Sequence, residues 1–267
     1  QMINLFKDKI ITYLKTYFYV GGMPEVVKNY IENKDFQEVR EIQNRILSDY
    51  KQDFSHHIPP TIRPQVTKLW DSIPRQLAKE NKKFVYSEIE NTKARVKEYD
   101  PALEWLKDSG LVYQIMRLSK PALPIKAYQE YNSFKLFMSD IGLLSAKSDL
   151  DIRTLLEGSK VFTEFKGSIT EQFVLQELKA IQNIDIAYWA NDAGRAEIDF
   201  VIQLDSQIIP IEVKAGINLK AKSLNVYKEK FNPDILVRTS LADYKKSDNL
   251  CDIPLYMIEQ IKQICNL

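Results

Sequence analysis

Apolar residues recur at helical spacing through residues 2–19, MINLFKDKIITYLKTYFY, which predicts a first helix. Val20-Gly21-Gly22-Met23-Pro24-Glu25 ends it. A glycine there can take the left-handed cap, and Pro24 can open the next helix. The stretch lacks the GxxxxGK[ST] phosphate loop and lies between helices, so it reads as a tight interhelical turn. Residues 24–54 continue as one or two helices with alternating charge. His56-His57 fall on an expected loop before Ile58-Pro59-Pro60, and no acidic or cysteine pair at ligand spacing accompanies them. The proline pair marks a boundary. VTKLWDSIPRQLAKE is amphipathic through Val66, Leu69, Ile73 and Leu77. YSEIENTKARVKEY supplies a short helix and the start of another, and Asp100-Pro101 reads as a helix start with Asp100 at the N-cap. Gly110 ends that helix, LVYQIMRL reads as a strand and PALPIKAY as its return. Helices followed by a hairpin, over residues 62–118, have the order of a winged helix.

Residues 131–146 predict a strand, a turn and a helix capped by Asp140, with Phe137, Met138, Ile141, Leu143 and Leu144 in the core. Residues 147–160 are a polar connector. From 161 the order is helix 161–182, strand DIAYWA, hairpin 197–214, helix 219–231, strand DILVRTS, strand PLYMI and a short final helix. This is a mixed α/β region with a sheet of about five strands. The hairpin reads EIDFVIQL, a turn at Asp205-Ser206, then QIIPIEVK. A two-residue loop sets Leu204 opposite Gln207, hence Asp199 opposite Glu212 and Glu197 opposite Lys214. Alternation puts these four charged residues on one face and Ile198, Phe200, Ile211 and Val213 on the other, the face expected to be buried. Carboxylates directly opposite each other repel. A divalent cation removes that penalty and leaves Lys214 to act on a water or a phosphate. Asp199 and Glu212 offer hard oxygens to Mg²⁺ or Mn²⁺, with the Val213 carbonyl as a third ligand. Glu197 either flanks the site or pairs with Lys214. The hairpin is therefore a candidate metal site for phosphodiester cleavage.

Composition narrows the partners. The 267 residues, 45% hydrophobic and 27% charged, are those of an ordinary globular protein with room for two domains. A net charge of +1 excludes a globally basic nucleic-acid binder and leaves local patches. Lys93, Arg95 and Lys97 form one such patch, interleaved with Glu90, Glu98 and Asp100; they either read phosphates or belong to a module that only packs against protein. Lys220, Lys222, Lys228 and Lys230, on the helix after Lys214, suit a nucleic-acid backbone and equally an ordinary solvated face. Cys251 and Cys265 make neither a disulfide framework nor a CxxC motif, as expected of a reduced cytoplasmic protein. No apolar run reaches the ~20 residues of a membrane span, and no signal peptide is evident. The chain starts at Gln1 with a helix already under way, as expected of an excised fragment.

Asp199 followed, beyond an apolar run, by Glu212-Val213-Lys214 resembles the PD-(D/E)XK nuclease signature. The preceding helix GSITEQFVLQELKA offers Glu171 where many members carry an acidic helix residue. The chain as a whole is similar to the C-terminal region of a prokaryotic family of AAA-type ATPases, through GGMPEVV at 21–27, FMSDIGLLSA at 137–146 and EVKAGINLKAKSL at 212–224. That resemblance implies an αβββαβ restriction-endonuclease-like domain, metal held by Asp199, Glu212 and Val213, and catalysis by Asp199, Glu212, Lys214 and Glu171 with Mg²⁺ or Mn²⁺. Together with the element order, the expectation is an α+β chain divided into a helical linker region at 1–60, a winged-helix-like domain at 61–146 and the nuclease-like domain at 147–267. The resemblance further implies an AAA-type ATPase domain of the same full-length protein as partner, which alone would bind ATP and through which the protein could oligomerise. DNA or RNA is the expected target, and no membrane is involved. That ATPase domain is absent from this sequence. The alternative is a catalytically inactive nuclease-like fold whose winged helix binds nucleic acid or protein as a regulatory module of the ATPase.

Overall fold

The computed structural model describes residues 2–79, 82–89, 96–157, 163–191, 196–217 and 222–265, and divides into two compact units. One comprises Gln1–Gln114 and Leu136–Ile169; the other comprises Ile115–Lys135 and Thr170–Leu267.

The first unit is helical. α1 (Met2–Val20) ends where Gly21 adopts φ +73°, its N–H donating to Tyr17 O at 2.8 Å, and α2 (Pro24–Asn33) opens on the proline. α3 (Phe36–His57) is capped by Asp35, whose carboxylate accepts from the N–H groups of Gln37 and Glu38. His56 and His57 form the exposed last turn of α3 rather than a loop. α4 (Arg63–Leu77) buries Val66, Leu69, Trp70, Ile73 and Leu77, and α5 (Val96–Asp108) packs on it. α5 begins earlier than the Asp100-Pro101 signal predicts and runs through Pro101. Proline removes one helix donor, but burial of Tyr99, Ala102, Leu103 and Leu106 outweighs that loss. The Asp100 carboxylate accepts from the Tyr86 hydroxyl at 3.2 Å instead of capping. Short helices α6 (Ile141–Lys147) and α7 (Ile152–Glu157) follow, the latter inside the stretch expected as a connector. α8 (Thr163–Ala180) starts in this unit and continues into the other from Thr170.

Two distant segments meet in the first unit. Asp140 caps α6 through Oδ1, which accepts from Leu143 N–H at 2.8 Å. Its Oδ2 accepts from Gly22 N–H, also at 2.8 Å. Gln43 Nε2 donates to Tyr19 O at 2.7 Å and Val20 O at 3.1 Å, satisfying carbonyls at the end of α1. Gly142 lies so close to α1 that an added Cβ would sit 2.4 Å from Val20 O and 2.8 Å from Gln43 Nε2.

The second unit is built on an eight-stranded sheet. Its strands are β1 (Val112–Leu118), β2 (Gln129–Met138), β3 (Ile184–Ala190), β4 (Glu197–Leu204), β5 (Gln207–Val213), β6 (Leu236–Ser240), β7 (Lys245–Ser247) and β8 (Leu250–Pro254). They lie in the order β2-β1-β3-β4-β5-β6-β8-β7. β3, β4 and β5 are successively antiparallel, while β1 runs parallel to β3, β6 parallel to β5, and β8 parallel to β6. The fold is mixed α+β, with more strands than the pattern of apolar runs suggested. Strands β1 and β2, expected as a wing, join this sheet. PALPIKAY is not a strand: Ile125–Tyr128 form a 3₁₀ turn, and the return strand starts at Gln129. The two prolines deny that stretch ladder donors. PLYMI is likewise displaced, because β8 ends at Pro254 and Leu255–Gln260 are 3₁₀. α9 (Lys222–Phe231) covers one sheet face, where Leu224 and Tyr227 pack on Leu118, Ala187, Trp189, Ile198, Val201 and Leu236. Trp189 meets Tyr227 and Phe231 edge-on at 5.3 and 5.4 Å. α10 (Ile261–Cys265) closes the chain.

The Gly142 contact is testable. Gly142→Ala is expected to lower stability by about 1–3 kcal/mol in urea unfolding, because the neighbour it meets is backbone. Gly216→Ala, whose added Cβ has nothing within 4 Å, is expected to change it by less than about 0.5 kcal/mol.

Candidate functional site

The β4–β5 hairpin adopts the expected register, from Leu204↔Gln207 to Phe200↔Ile211, around a turn in which Asp205 takes φ 52°. Beyond Phe200↔Ile211 a side chain takes over the pairing: Asp199 Oδ2 accepts from Val213 N–H at 2.7 Å. Lys214 N–H donates to Thr239 O at 2.8 Å, which ties the end of β5 to β6. The same short segment thus fixes the backbone of all three signature residues.

Glu212 is only 4% exposed. Its Oε1 accepts from Lys214 Nζ at 2.5 Å, and its buried Oε2 has no hydrogen-bond partner among the described residues. Burial pushes the Glu212 carboxyl above the ordinary carboxylate range; Lys214 opposes that shift, Glu171 adds to it and Lys135 opposes it. The Lys214 side chain remains partly exposed. Glu171, the helix acid that the resemblance implies, is buried, and its charge is felt at Glu212.

At the centre of these carboxylates stands a residue that sequence reasoning missed. Lys135 on β2 is fully buried. Its Nζ lies 2.5 Å from Glu197 Oε1, 3.6 Å from Glu171 Oε2 and 5.0 Å from the centroid of the Tyr188 ring. Burial disfavours its charge, yet the carboxylates of Glu197, Glu171 and Asp199 hold its pKa above the ordinary lysine value. Glu197 therefore pairs with Lys135 and Lys214 with Glu212, in place of the expected Glu197–Lys214 pair. The signal was present as a lone cation in FKLFM, a run read as core. A buried charge needs a partner. The polar row extends across the sheet, for Glu212 is in register with Arg238 and Arg238 with Asp252. Arg238 grips Asp252 through Nε at 2.6 Å and a terminal nitrogen at 2.9 Å.

The basic candidates are dispersed. Lys97 on α5 and Lys222 on α9 are exposed and belong to different units, while Lys93, Arg95 and Lys220 lie outside the described residues. Among the described residues, no group of three or more His, Cys, Asp and Glu side chains is arranged to hold a metal ion.

Residues 11–154, more than half of the chain, match the domain of unknown function DUF8612. The chain belongs to the DUF8612 family. Residues 166–258 match a second domain of unknown function, DUF4143, which is commonly found with AAA ATPases. In this DUF8612 chain the boundary falls within the charged cluster. Lys135 lies in the DUF8612 stretch, whereas Glu171, Glu197, Asp199, Glu212 and Lys214 lie in the DUF4143 stretch. No curated protein and no solved structure matches the chain. Among the described residues, no helix is long and apolar enough to cross a membrane.

The raised Glu212 pKa fixes a sign. A carboxyl whose folded pKa exceeds its unfolded value disfavours folding in its charged form, a cost absent below the unfolded pKa and complete above the folded one. Glu212→Gln is therefore expected to raise the thermal midpoint of the metal-free protein at pH 7. The gain should shrink as the pH falls toward about 4. Thermal scans of both proteins at the two pH values check this.

Proposed function

We propose that this chain is a Mg²⁺- or Mn²⁺-dependent phosphodiesterase module of the PD-(D/E)XK nuclease type, acting on DNA or RNA in concert with an AAA-type ATPase domain. The observation that carries the reading is the buried Glu212 Oε2, which has no hydrogen-bond partner among the described residues and lies on the hairpin that also holds Asp199 and Lys214. A desolvated carboxylate oxygen of this kind is costly unless a cation meets it. The order α8-β3-β4-β5-α9-β6 supports the same reading, because it follows the αβββαβ core of that nuclease fold.

Asp199, Glu212 and the Val213 carbonyl would hold the ion. Bound there, it would supply Lewis acidity and a water of lowered pKa. The remaining work falls to the chain itself. Lys214 is a compact point charge already paired with Glu212; once displaced from that carboxylate, it would orient the attacking water or offset charge on the phosphate. Asp199, hydrogen-bonded to Val213 N–H, keeps the end of β5 in place. Glu171, on α8, lies close enough for its charge to raise the Glu212 pKa, while Lys135 sets its countercharge. The DUF4143 match supports an AAA-type partner, to which ATP binding would belong. Free, buried Cys251 and Cys265 fit a reducing cytoplasmic setting.

A second reading is favoured by the Lys214–Glu212 contact, which neutralises the signature internally. In it the nuclease-like fold and the helical unit only bind nucleic acid or protein, as a regulatory module of the ATPase.

Labelled single- and double-stranded DNA and RNA oligonucleotides, incubated with Mn²⁺, Mg²⁺ or chelator, separate the two. Cleavage is expected only with metal, and Lys214→Ala is expected to slow it by about 10²–10³-fold. Unchanged cleavage by Lys214→Ala contradicts the nuclease reading. Oligonucleotide binding without cleavage, insensitive to chelator and to Asp199→Ala, supports the second.

A further inference from the structure

We infer that Lys135 is a protein-borne substitute for a metal ion: its ammonium group gathers Glu197 and Glu171 into one fixed charge cluster and closes that part of the site to divalent cations. Three observations carry this. First, Lys135 has no exposed surface, so it can touch neither solvent nor a substrate. Second, its Nζ sits 2.5 Å from Glu197 Oε1 and 3.6 Å from Glu171 Oε2, spanning carboxylates from β4 and α8 as a bridging cation would. Third, its remaining surroundings are those of a cation site, with the face of Tyr188 at 5.0 Å. The Tyr188 hydroxyl is held by Ser133 Oγ at 3.1 Å, which fixes the ring beneath the ammonium group.

A buried ion pair of this kind is a poor device for stability alone, because desolvation offsets most of the Coulombic gain. Its effect is on arrangement. Glu171 and Glu197 are neutralised before any metal arrives, so a divalent ion at the hairpin is confined to Asp199 and Glu212. The cation and its carboxylates also come from different family segments. The DUF8612 stretch delivers Lys135 and the DUF4143 stretch delivers the acids, so neither completes the cluster alone. The inference does not depend on whether Glu212 holds a metal.

The test is Mn²⁺ titration calorimetry and thermal unfolding of the full chain against Lys135→Met. The variant is expected to bind one more Mn²⁺ than the wild type, and its unfolding midpoint to rise on Mn²⁺ addition by more than the wild type's. Adding Glu197→Gln to Lys135→Met is expected to abolish that extra site. Equal stoichiometry and equal Mn²⁺ response in wild type and Lys135→Met overturn the inference. If Lys135→Met does not fold without metal, Mn²⁺ in the refolding buffer is expected to restore its far-UV circular dichroism, and failure to do so also overturns it. A wild type that binds no Mn²⁺ beside a variant that gains one supports the inference while counting against the nuclease reading.

Discussion

A fully buried lysine ammonium cannot be left without countercharge. That constraint organises the second unit. Lys135 draws Glu197 onto the same polar face of the sheet and brings Glu171 down from α8. The opposite face is free to be apolar, and α9 seals it with Leu224, Tyr227 and Phe231. The hairpin carries both characters at once across a register shift in its pairing with β3: Ile198 and Val201 both enter the apolar cluster, while Glu197 and Asp199 face the charges. The polar side costs desolvation, most plainly at Glu212, and that cost marks the place where function would recover it.

The first unit solves a related problem with backbone groups. The end of α1 leaves carbonyls and N–H groups that a tight turn cannot satisfy by itself. Gln43 takes the carbonyls, and Asp140 takes the Gly22 N–H while capping α6. The close approach that makes this geometry available requires hydrogen in place of a side chain at Gly142. GGMPEVV and FMSDIGLLSA, far apart in sequence, are thus two halves of one interaction, and their role is structural.

The hairpin was legible because its information is local. A two-residue turn and period-two alternation fix register, and the register places Asp199 near Glu212 and Lys214. Helix boundaries backed by a cap or a glycine were legible for the same reason, as at Gly21, Gly110 and Asp140. Other features depend on tertiary partners. α5 continues through Pro101 because its buried face rewards it, although the local signal reads as a start. PALPIKAY and PLYMI have strand-like composition but adopt 3₁₀ turns, and the short edge strand β7, KKS, carries no apolar pattern at all. Lys135 was hidden most deeply, since its partners are contributed by β4 and α8, remote in sequence. The pairing of Glu197 could not be assigned to the right lysine until that residue was located.

In the function proposed above, the hairpin carboxylates would receive a cation on the side that Lys135 leaves open. The most direct measurement is the anomalous difference map of a crystal soaked in Mn²⁺. The structure predicts a peak bounded by Glu212 Oε2 and the Asp199 carboxylate, with Lys214 Nζ moved away from Glu212 and Lys135 still on Glu197. A map with no peak there and Lys214 unmoved on Glu212, or a peak that displaces Lys135, would contradict it.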